Sequence, residues 1–404
     1  MNMSGRAGMR DHRIDWLRGF ALASIFVNHM PGNRFEHWTL RNFGFSDAAE
    51  LFVLLAGVAA ALAFFRRFER GETLAMAVKA FRRTGKLYAA HVLATGGAIG
   101  LFMATAHYLD NPGYLDLIGV APLTESPYLG LVGVLTGGYQ LGFFNILPMY
   151  VVLLAFLPVM LWLAVRDLRV LVGLSFTLYL ATQIFQLRIP AFPDEYAWFF
   201  NPLAWQFLFV SGLVLGIMRL RGAFVPYHVV AFWLAVAYLV FSAVWMVLSL
   251  GGTLTQGFVP TWMDTLRKTN LAPLRLMHLF ALSYVLVHSR AWDWLVRVSA
   301  VDPVLTKLGR NSLPVFVTAS FASMVGYIML VWLEEPYLAV EVALLSAGLA
   351  VMWTVASVSE VGVVAMAGRV RDGVMDYIAR TPSAAMPFVP REDEPKTTPT
   401  GRRK

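Results

Sequence analysis

Ten stretches of about 20 mostly apolar residues recur along the 404-residue chain, and each is long enough to cross a lipid bilayer as a helix. Hydrophobic residues make up 58% of the sequence and charged residues 14%, a balance typical of integral membrane proteins and not of soluble domains. The sequence therefore predicts an all-α, polytopic integral membrane protein with about ten transmembrane helices. The predicted spans are residues 14–31, 47–65, 87–107, 144–165, 170–187, 203–218, 226–248, 272–289, 312–333 and 338–360.

The distribution of basic residues predicts the orientation of these spans. Lys and Arg collect in the cytoplasmic loops of membrane proteins. Segment 66–86 is rich in both, whereas the long connection 108–143 has neither. An even number of spans with both termini in the cytoplasm places most of the 33 basic residues on the inner side. Segment 66–86 also carries apolar residues, a pattern that fits an amphipathic helix on the inner membrane surface.

The sequence divides into a membrane part and a tail. Residues 1–365 contain all the predicted spans and are assigned to one transmembrane domain. Residues 366–404 are rich in Pro, Thr and charged residues, a composition that cannot bury an apolar core. We therefore predict a cytoplasmic, largely disordered basic tail for residues 366–404.

Composition also limits the possible chemistry. The chain contains no cysteine, which excludes disulfides, a thiolate nucleophile and a Cys-ligated metal. The sequence has no His/Asp cluster with metal-ligand spacing, no Gly-rich phosphate loop and no Gly-x-Ser-x-Gly motif. The formal net charge of +8 mostly reflects the inner-side bias and contact with anionic lipid. The sequence thus predicts no metal, no permanently bound cofactor and no nucleic-acid partner.

The first predicted span carries ionisable residues on one face. Arg18 and His29 are eleven residues apart, which places them within about 20° of the same helical direction and about 16 Å apart along the axis. Asp15 shares this face, since it lies three residues before Arg18. An ionisable residue inside a span costs about 2.5–3.5 kcal/mol, so such residues usually face a cavity or a partner. Asp15 and Arg18 are predicted either to bind substrate or to form a simple ion pair at the interface. His29 is predicted to be a general base.

The spacing of an Arg, ten residues and a His resembles the motif of the membrane acyltransferase-3 superfamily. Several further blocks resemble the OpgC family, and together the likeness covers about residues 10–335. These blocks are PGNRFEHWTLRNFGFSDAAELFVLLAGVAAALAF (31–64), QLGFFNILPMYVVLL (140–154), NPLAWQFLFVSG (201–212), KTNLAPLRLMHLFALSY (268–284) and LGRNSLPVFV (308–317).

The resemblance implies an activity that composition and spacing do not show. The OpgC family is associated with O-succinylation of osmoregulated periplasmic glucans in bacterial inner membranes. It implies succinyl-CoA or another acyl-CoA as co-substrate, a glucan or other polysaccharide hydroxyl as acceptor, and His29 as the base. Arg18 is then predicted to hold a phosphate or the path of a pantetheine arm. An acyl-His intermediate is the variant mechanism, because the chain has no cysteine.

Carboxylates at the start of the second span are further candidates. Asp47 and Glu50 lie three residues apart on one helical face, where they either cap the helix or orient His29. Arg41, in the preceding outer loop, is expected to pair with one of these acids or to meet a dicarboxylic acyl group. The remaining predicted substrate-binding residues are Asn28, Asn145, Lys268, Asn270, Arg275, His278 and Asn311, for several of which helix capping or packing is an equal alternative.

Two other functions fit the same residues. Intramembrane acids and a His also suit a proton-coupled transporter or flippase of a saccharide or lipid. An acyltransferase acting on lipid or on a secreted polysaccharide is the other alternative.

Overall fold

Helices make up most of the computed structural model, which describes residues 11–120, 123–124, 126–139, 141–192, 197–248, 266–334 and 336–380. No strand forms within these ranges, and an isolated backbone bridge joins Pro190 to Ala197. The all-α prediction is confirmed for this part of the chain. The helices are α1 (His12–Asn28), α2 (Ala48–Ala60), α3 (Thr73–Tyr108), α4 (Pro127–Thr136), α5 (Ile146–Arg166), α6 (Leu168–Phe185), α7 (Pro202–Leu220), α8 (Val229–Val247), α9 (Pro273–His288), α10 (Arg290–Val301), α11 (Pro303–Arg310), α12 (Ser312–Leu333) and α13 (Leu338–Arg380).

Each of the ten predicted spans corresponds to a helix. Within the described residues, 8 helices are long and apolar enough to cross a membrane. The helix at the eighth predicted span, α9, is apolar but has only 16 residues. The helix at the first predicted span, α1, has 17 residues and carries Asp15 and Arg18. The protein is therefore a helical membrane protein, while the count of ten and the cytoplasmic position of both termini stay predictions.

The basic segment 66–86 is helical, but it does not form a separate surface helix. Helix α2 continues through a π-helical turn (Ala61–Phe65) and a last turn (Arg66–Glu69). Helix α3 then runs without a break over 36 residues, or about 54 Å, which exceeds the roughly 30 Å apolar core of a bilayer. Residues 73–86 are thus the first turns of the helix that contains the third predicted span.

Helix α1 lies against α2, α11 and α12. Glycines allow its contact with α11 to be very close. A Cβ atom at Gly19 would lie 1.9 Å from the Leu305 carbonyl oxygen, and one at Gly309 would lie 1.7 Å from the Asp15 carbonyl oxygen. This packing buries the polar face of α1 inside the protein, since Asp15, Arg18, Leu22 and Ile25 are all buried.

The contact between α2 and α7 also depends on glycine. A Cβ atom at Gly57 would lie 2.0 Å from the Phe209 carbonyl oxygen, and one at Gly212 would lie 2.0 Å from the Leu54 carbonyl oxygen. Neither backbone leaves room for a side chain. Helix α2 is held in this position with Glu50 buried and Asp47 partly buried at its N-terminal end.

Contacts divide the chain into two units, residues 1–359 and 360–404. In the second unit, residues 360–380 are the last turns of α13. Residues 366–380, which we predicted to belong to the tail, are therefore helical. The rest of the predicted tail, 381–404, lies outside the described residues.

Candidate functional site

A polar cavity of about 260 Å³ lies at the C-terminal end of α1. This outer cavity is close to the lower end of the about 300–1,000 Å³ typical of ligand pockets. It combines charged groups, amides and aromatic rings. Its lining residues are Ile25, Asn28, His29, Arg41, Asp47, Ala49, Phe143, Asn145, Ile146, Phe199, Phe200, Lys268 and Phe316.

His29 caps the C-terminus of α1 and turns its ring into the outer cavity. Its backbone N–H donates to the Ile25 carbonyl at 2.9 Å, which fixes the residue on the polar face of the helix. Among the described residues, the buried Nδ1 of the ring has no hydrogen-bond partner. A buried nitrogen without a partner is unfavourable unless a ligand or water satisfies it. The imidazole therefore has capacity to bind or to accept a proton.

Phe143 packs against His29, with the two ring centres 4.7 Å apart. The Phe143 backbone has φ of 71°, a left-handed conformation that costs a non-glycine residue about 1–3 kcal/mol. The segment that contains this strained residue leads into α5, and it places Phe143, Asn145 and Ile146 together in the lining of the outer cavity. Strain of this kind is concentrated at functional sites, and here it positions the wall of the cavity that contains His29.

Two acids and two cations form a compact cluster at the edge of the outer cavity. Lys268 Nζ donates to Asp47 Oδ2 at 2.6 Å. Arg275 bridges both acids: its Nε donates to Glu50 Oε1 at 2.6 Å, and its Nη2 donates to Asp47 Oδ2 at 3.1 Å. Glu50 is fully buried, so its carboxylate depends on this pairing.

The same acids cap α2. Asp47 Oδ1 accepts from Ala49 N–H at 2.8 Å, and Glu50 Oε2 accepts from Asp47 N–H at 2.9 Å. This is a capping box, which satisfies two backbone donors of the first turn. The capping alternative from the sequence is therefore confirmed. Within the described residues neither acid hydrogen-bonds to His29 Nδ1, so the structure does not show the predicted orienting contact to the imidazole.

A second, smaller cavity of about 60 Å³ lies beside Arg18. The Arg18 guanidinium donates to Ser312 Oγ and lies 5.7 Å from the centre of the Phe52 ring. The Tyr150 hydroxyl donates to the Phe52 carbonyl at 3.2 Å. This inner cavity is lined by Arg18, Phe52, Ala56, Ala60, Arg83, Leu87, Ile146, Leu147, Tyr150, Leu154, Phe209, Ser312, Leu313 and Phe316.

The two cavities are neighbours along α1. Ile146 and Phe316 line both of them. Arg18 belongs to the inner cavity and His29 to the outer one, as their shared helical face predicts. The polar face of α1 thus runs along two cavities that share a wall of two side chains.

A family model described as OpgC protein matches residues 10–361, nearly the whole chain. The chain belongs to the OpgC family. The resemblance read from the sequence is thereby confirmed, and membership of this family supports an acyltransferase activity. Neither the curated proteins nor the solved structures with which the chain was compared include a match.

A larger groove in this OpgC-family protein has few side chains that could take part in catalysis. It has a volume of about 540 Å³ and lies among α6, α7, α8 and α9. Its lining is almost entirely apolar, from residues such as Val210, Val214 and Phe280. Acyl transfer needs groups that move protons and stabilise charge, so the polar outer cavity is the better candidate site.

Two predicted residues of the outer cavity have protein partners in this OpgC-family structure. Arg41 pairs with Glu36 at 2.9 Å, so the expected pairing with Asp47 or Glu50 is wrong. Asn28 Oδ1 accepts from the Thr39 hydroxyl at 2.7 Å. Asn145 also lines the outer cavity, directly before α5.

Three predicted binding residues lie outside both cavities and have structural partners. His278 Nδ1 contacts the Ser46 hydroxyl at 2.7 Å. Asn270 Oδ1 accepts from the side chain of Asn201 at 2.9 Å. Asn311 Nδ2 donates to the backbone carbonyl four residues earlier at 3.1 Å. Packing or capping explains the contacts of His278 and Asn311 better than substrate binding does. The buried Nδ2 of Asn270 has no hydrogen-bond partner among the described residues.

Asp15 and Arg275 do not line either cavity and are paired with other side chains. Asp15 is buried and forms an ion pair with Arg310 Nε at 3.7 Å. It lines neither cavity within the described residues. Arg275 holds the two acids in place and likewise lies behind the cavity wall. Arg275 is therefore a positioning residue, whereas the Asp15 ion pair lies outside both cavities.

Several cavity residues were not predicted individually. Phe143, Ile146, Tyr150, Ser312 and Phe316 lie in apolar stretches, where an aromatic or small residue has the same pattern whether it faces lipid or a site. The available signal was the OpgC-like blocks 140–154 and 308–317, which contain all five.

Proposed function

We propose that this OpgC-family protein is an O-acyltransferase of the bacterial inner membrane. It moves a succinyl or other short acyl group from a cytoplasmic CoA thioester to a sugar hydroxyl of a periplasmic glucan. The observation that carries this proposal is the unpartnered His29 Nδ1 in a polar cavity that shares a wall with the Arg18 cavity.

The inner cavity suits the acyl donor. Arg18 and Arg83 both line it, and guanidinium groups bind phosphate and carbonyl oxygens well. The rest of the lining is mostly apolar, which suits an acyl chain or a pantetheine arm. At about 60 Å³ the inner cavity must widen to admit either.

The outer cavity suits a sugar acceptor. Asn28 and Asn145 supply amide groups, and Phe143, Phe199 and Phe200 supply ring faces and edges. Aromatic rings combined with a few polar groups are typical of sites that orient a ring-shaped ligand. Since the OpgC family is associated with glucans, we assign a glucan hydroxyl to this cavity.

Lys268 is the group best placed for an anionic acyl chain. Its Nζ lies 5.5 Å from the centre of the Phe200 ring and donates to Asp47, while its side chain lines the outer cavity. The distal carboxylate of a succinyl group would meet Lys268 and Arg41 there. An acetyl group has no carboxylate to use these cations, which favours succinyl-CoA as donor.

The chemical step uses His29 as general base. The imidazole takes the proton of the acceptor hydroxyl, and the oxygen attacks the thioester carbonyl carbon. The tetrahedral intermediate then collapses, the carbon–sulfur bond breaks, and the CoA thiolate receives the proton from the imidazolium. The products are a sugar ester and free CoA. In the acyl-His variant the imidazole attacks the thioester carbonyl carbon and the carbon–sulfur bond breaks, so that CoA leaves as the thiolate. The sugar hydroxyl then attacks the acyl-imidazole, its proton passes to the thiolate, and the imidazole is released.

The test is transfer by the detergent-purified protein. Radiolabelled succinyl-CoA, acetyl-CoA and periplasmic glucan are the substrates, and ester formation is measured. We expect succinylated glucan, and we expect His29→Ala to lower the rate by about 10²–10⁴-fold, the usual contribution of a general base.

His107→Ala is the matched control. His107 is exposed near the end of α3 and lines neither cavity, so its loss is expected to leave the rate unchanged. Transfer that survives in His29→Ala contradicts the proposed base. Labelled lipid or secreted polysaccharide in place of glucan identifies the alternative acceptor. Saccharide uptake into proteoliposomes without any acyl turnover supports the transporter.

A further inference from the structure

The wall between the two cavities consists of very few side chains. Phe316 and Ile146 line both cavities, and their exposed fractions are only 3% and 5%. Both side chains are therefore buried where the two cavities adjoin. The Phe316 ring packs edge-to-face against the Phe144 ring, with centres 6.5 Å apart.

The proposed reaction requires that this wall opens. The thioester carbonyl has to reach the hydroxyl that His29 activates, and these groups belong to opposite sides of Phe316 and Ile146. The acyl chain must therefore pass the two side chains or displace them.

We propose that Phe316 and Ile146 form a partition that opens for donor binding and limits the length of the acyl group transferred. This inference rests on the proposed function, since it concerns the path of the same acyl donor. A short acyl chain fits once the Phe316 ring turns aside. A longer chain meets the ring and the Phe144 ring packed against it.

The helix that carries Phe316 also carries the contact to Arg18. Ser312, which accepts from the Arg18 guanidinium, lies four residues before Phe316 on α12. Residues four apart on a helix share a face, so both side chains point toward the cavities. A donor oxygen that binds Arg18 competes with Ser312 and thus acts on the helical turn that holds the partition.

The experiment compares donors of graded length. The purified full-length protein is assayed with acetyl-, succinyl-, butyryl- and hexanoyl-CoA, and kcat/KM is measured for each. Phe316→Ala is expected to raise the ratio of hexanoyl to acetyl transfer by about tenfold or more, since each methylene in a tight pocket changes selectivity by about 10–200-fold. Phe316→Trp is expected to lower transfer of every donor while binding of CoA persists.

Phe321→Ala is the matched control, because it removes the same ring from the same helix outside both cavities. Phe321 also packs against Phe144, at 5.7 Å between ring centres, and its loss is expected to leave the length ratio unchanged. A wild-type length ratio in Phe316→Ala and Ile146→Ala overturns the partition while the acyltransferase stands. If Phe316→Ala loses all activity, Phe316→Leu decides, and an unchanged ratio there also overturns it. A wild-type protein that turns over none of the four donors overturns the proposed function and the partition together.

Discussion

At the scale of single residues, the two acids of the candidate site are paired with neighbouring cations. They are therefore not available to pass protons in a relay. Asp47 caps α2 and also accepts from Lys268 and Arg275. Glu50 is fully buried and accepts from Arg275. The only imidazole in the outer cavity, within the described residues, is His29, and its Nδ1 is unpartnered. We therefore assign a positioning role to Asp47 and Glu50 and the proton transfer to the His29 imidazole.

Arg275→Met tests the positioning role of the cluster. The substitution leaves the buried Glu50 and the partly buried Asp47 without their shared cation. Breaking a buried ion pair on one side usually costs about 3–5 kcal/mol, so we expect a loss of that size in the free energy of unfolding. Equilibrium unfolding of the detergent-purified protein measures it.

The exposed pair of Arg41 with Glu36 provides the control. The Arg41 side chain is 42% exposed, and exposed pairs contribute about 0–1 kcal/mol. Arg41→Met is therefore expected to change stability by no more than about 1 kcal/mol. Equal losses in the two variants would show that burial of the cluster does not make its ion pairs critical.

At the scale of helices, glycine decides where the acid-bearing helix lies. Gly57 and Gly212 let α2 and α7 approach until backbone meets backbone. Helix α2 carries Asp47 at its N-terminus and Phe52 one and a half turns later, so one helix contributes to both cavities. A displacement of α2 would disturb the donor side and the acceptor side at once.

Gly212→Ala tests this contact. The new Cβ would lie 2.0 Å from the Leu54 carbonyl oxygen, which is a backbone atom that cannot move aside alone. Overpacking of this kind costs about 1–3 kcal/mol, so we expect a lower unfolding temperature and a lower transfer rate. Thermal unfolding and the acyl-transfer assay measure the two effects.

Gly173→Ala is the same substitution in an open position. It lies within α6, and no atom lies within 4 Å of the new Cβ. Alanine is about 1 kcal/mol more favourable than glycine in a helix, so stability is expected to hold or rise. A comparable loss in both variants would contradict the close-contact explanation.

At the scale of the whole molecule, the proposal needs α1 to connect opposite sides of the membrane. The Arg18 cavity must open toward the cytoplasm, where CoA thioesters are made, and the His29 cavity must open toward the periplasm. The basic residues of segment 66–86 and their lack in 108–143 predict this orientation. Helix α3 joins these two segments, so its ends report the orientation of the protein.

Cysteine labelling of α3 tests the orientation, because the chain has no cysteine of its own. Leu74 and Tyr108 lie near the two ends of α3 and are 77% and 83% exposed. In spheroplasts, an impermeant maleimide is expected to label Tyr108→Cys at once and Leu74→Cys only after the membrane is permeabilised. The reverse pattern would invert the protein and place His29 on the cytoplasmic side.

The sequence alone determined what depends on local order along the chain. Apolar runs of span length predicted the helices, and the Arg18 to His29 spacing predicted a shared face. The position of Asp47 and Glu50 at a helix start made capping one of the two alternatives for these acids. These features follow from the fixed pitch of a helix and the length needed to cross lipid, so no partner has to be known. The family could also be recognised from the sequence, since the blocks that resemble it are continuous along the chain.

Only the tertiary structure decided which groups meet. Lys268 and Arg275 reach acids more than two hundred residues earlier, whereas Arg41 turns to the nearby Glu36. Phe316 and Ile146 come together because α12 and the start of α5 meet at the two cavities. An apolar side chain in a span looks the same in sequence whether it meets lipid, core or cavity. The spacing of residues along a helix determines the direction in which each side chain points from the helix axis. Which residue of another helix it contacts depends on how the helices pack. That packing is set by contacts between residues far apart in the chain.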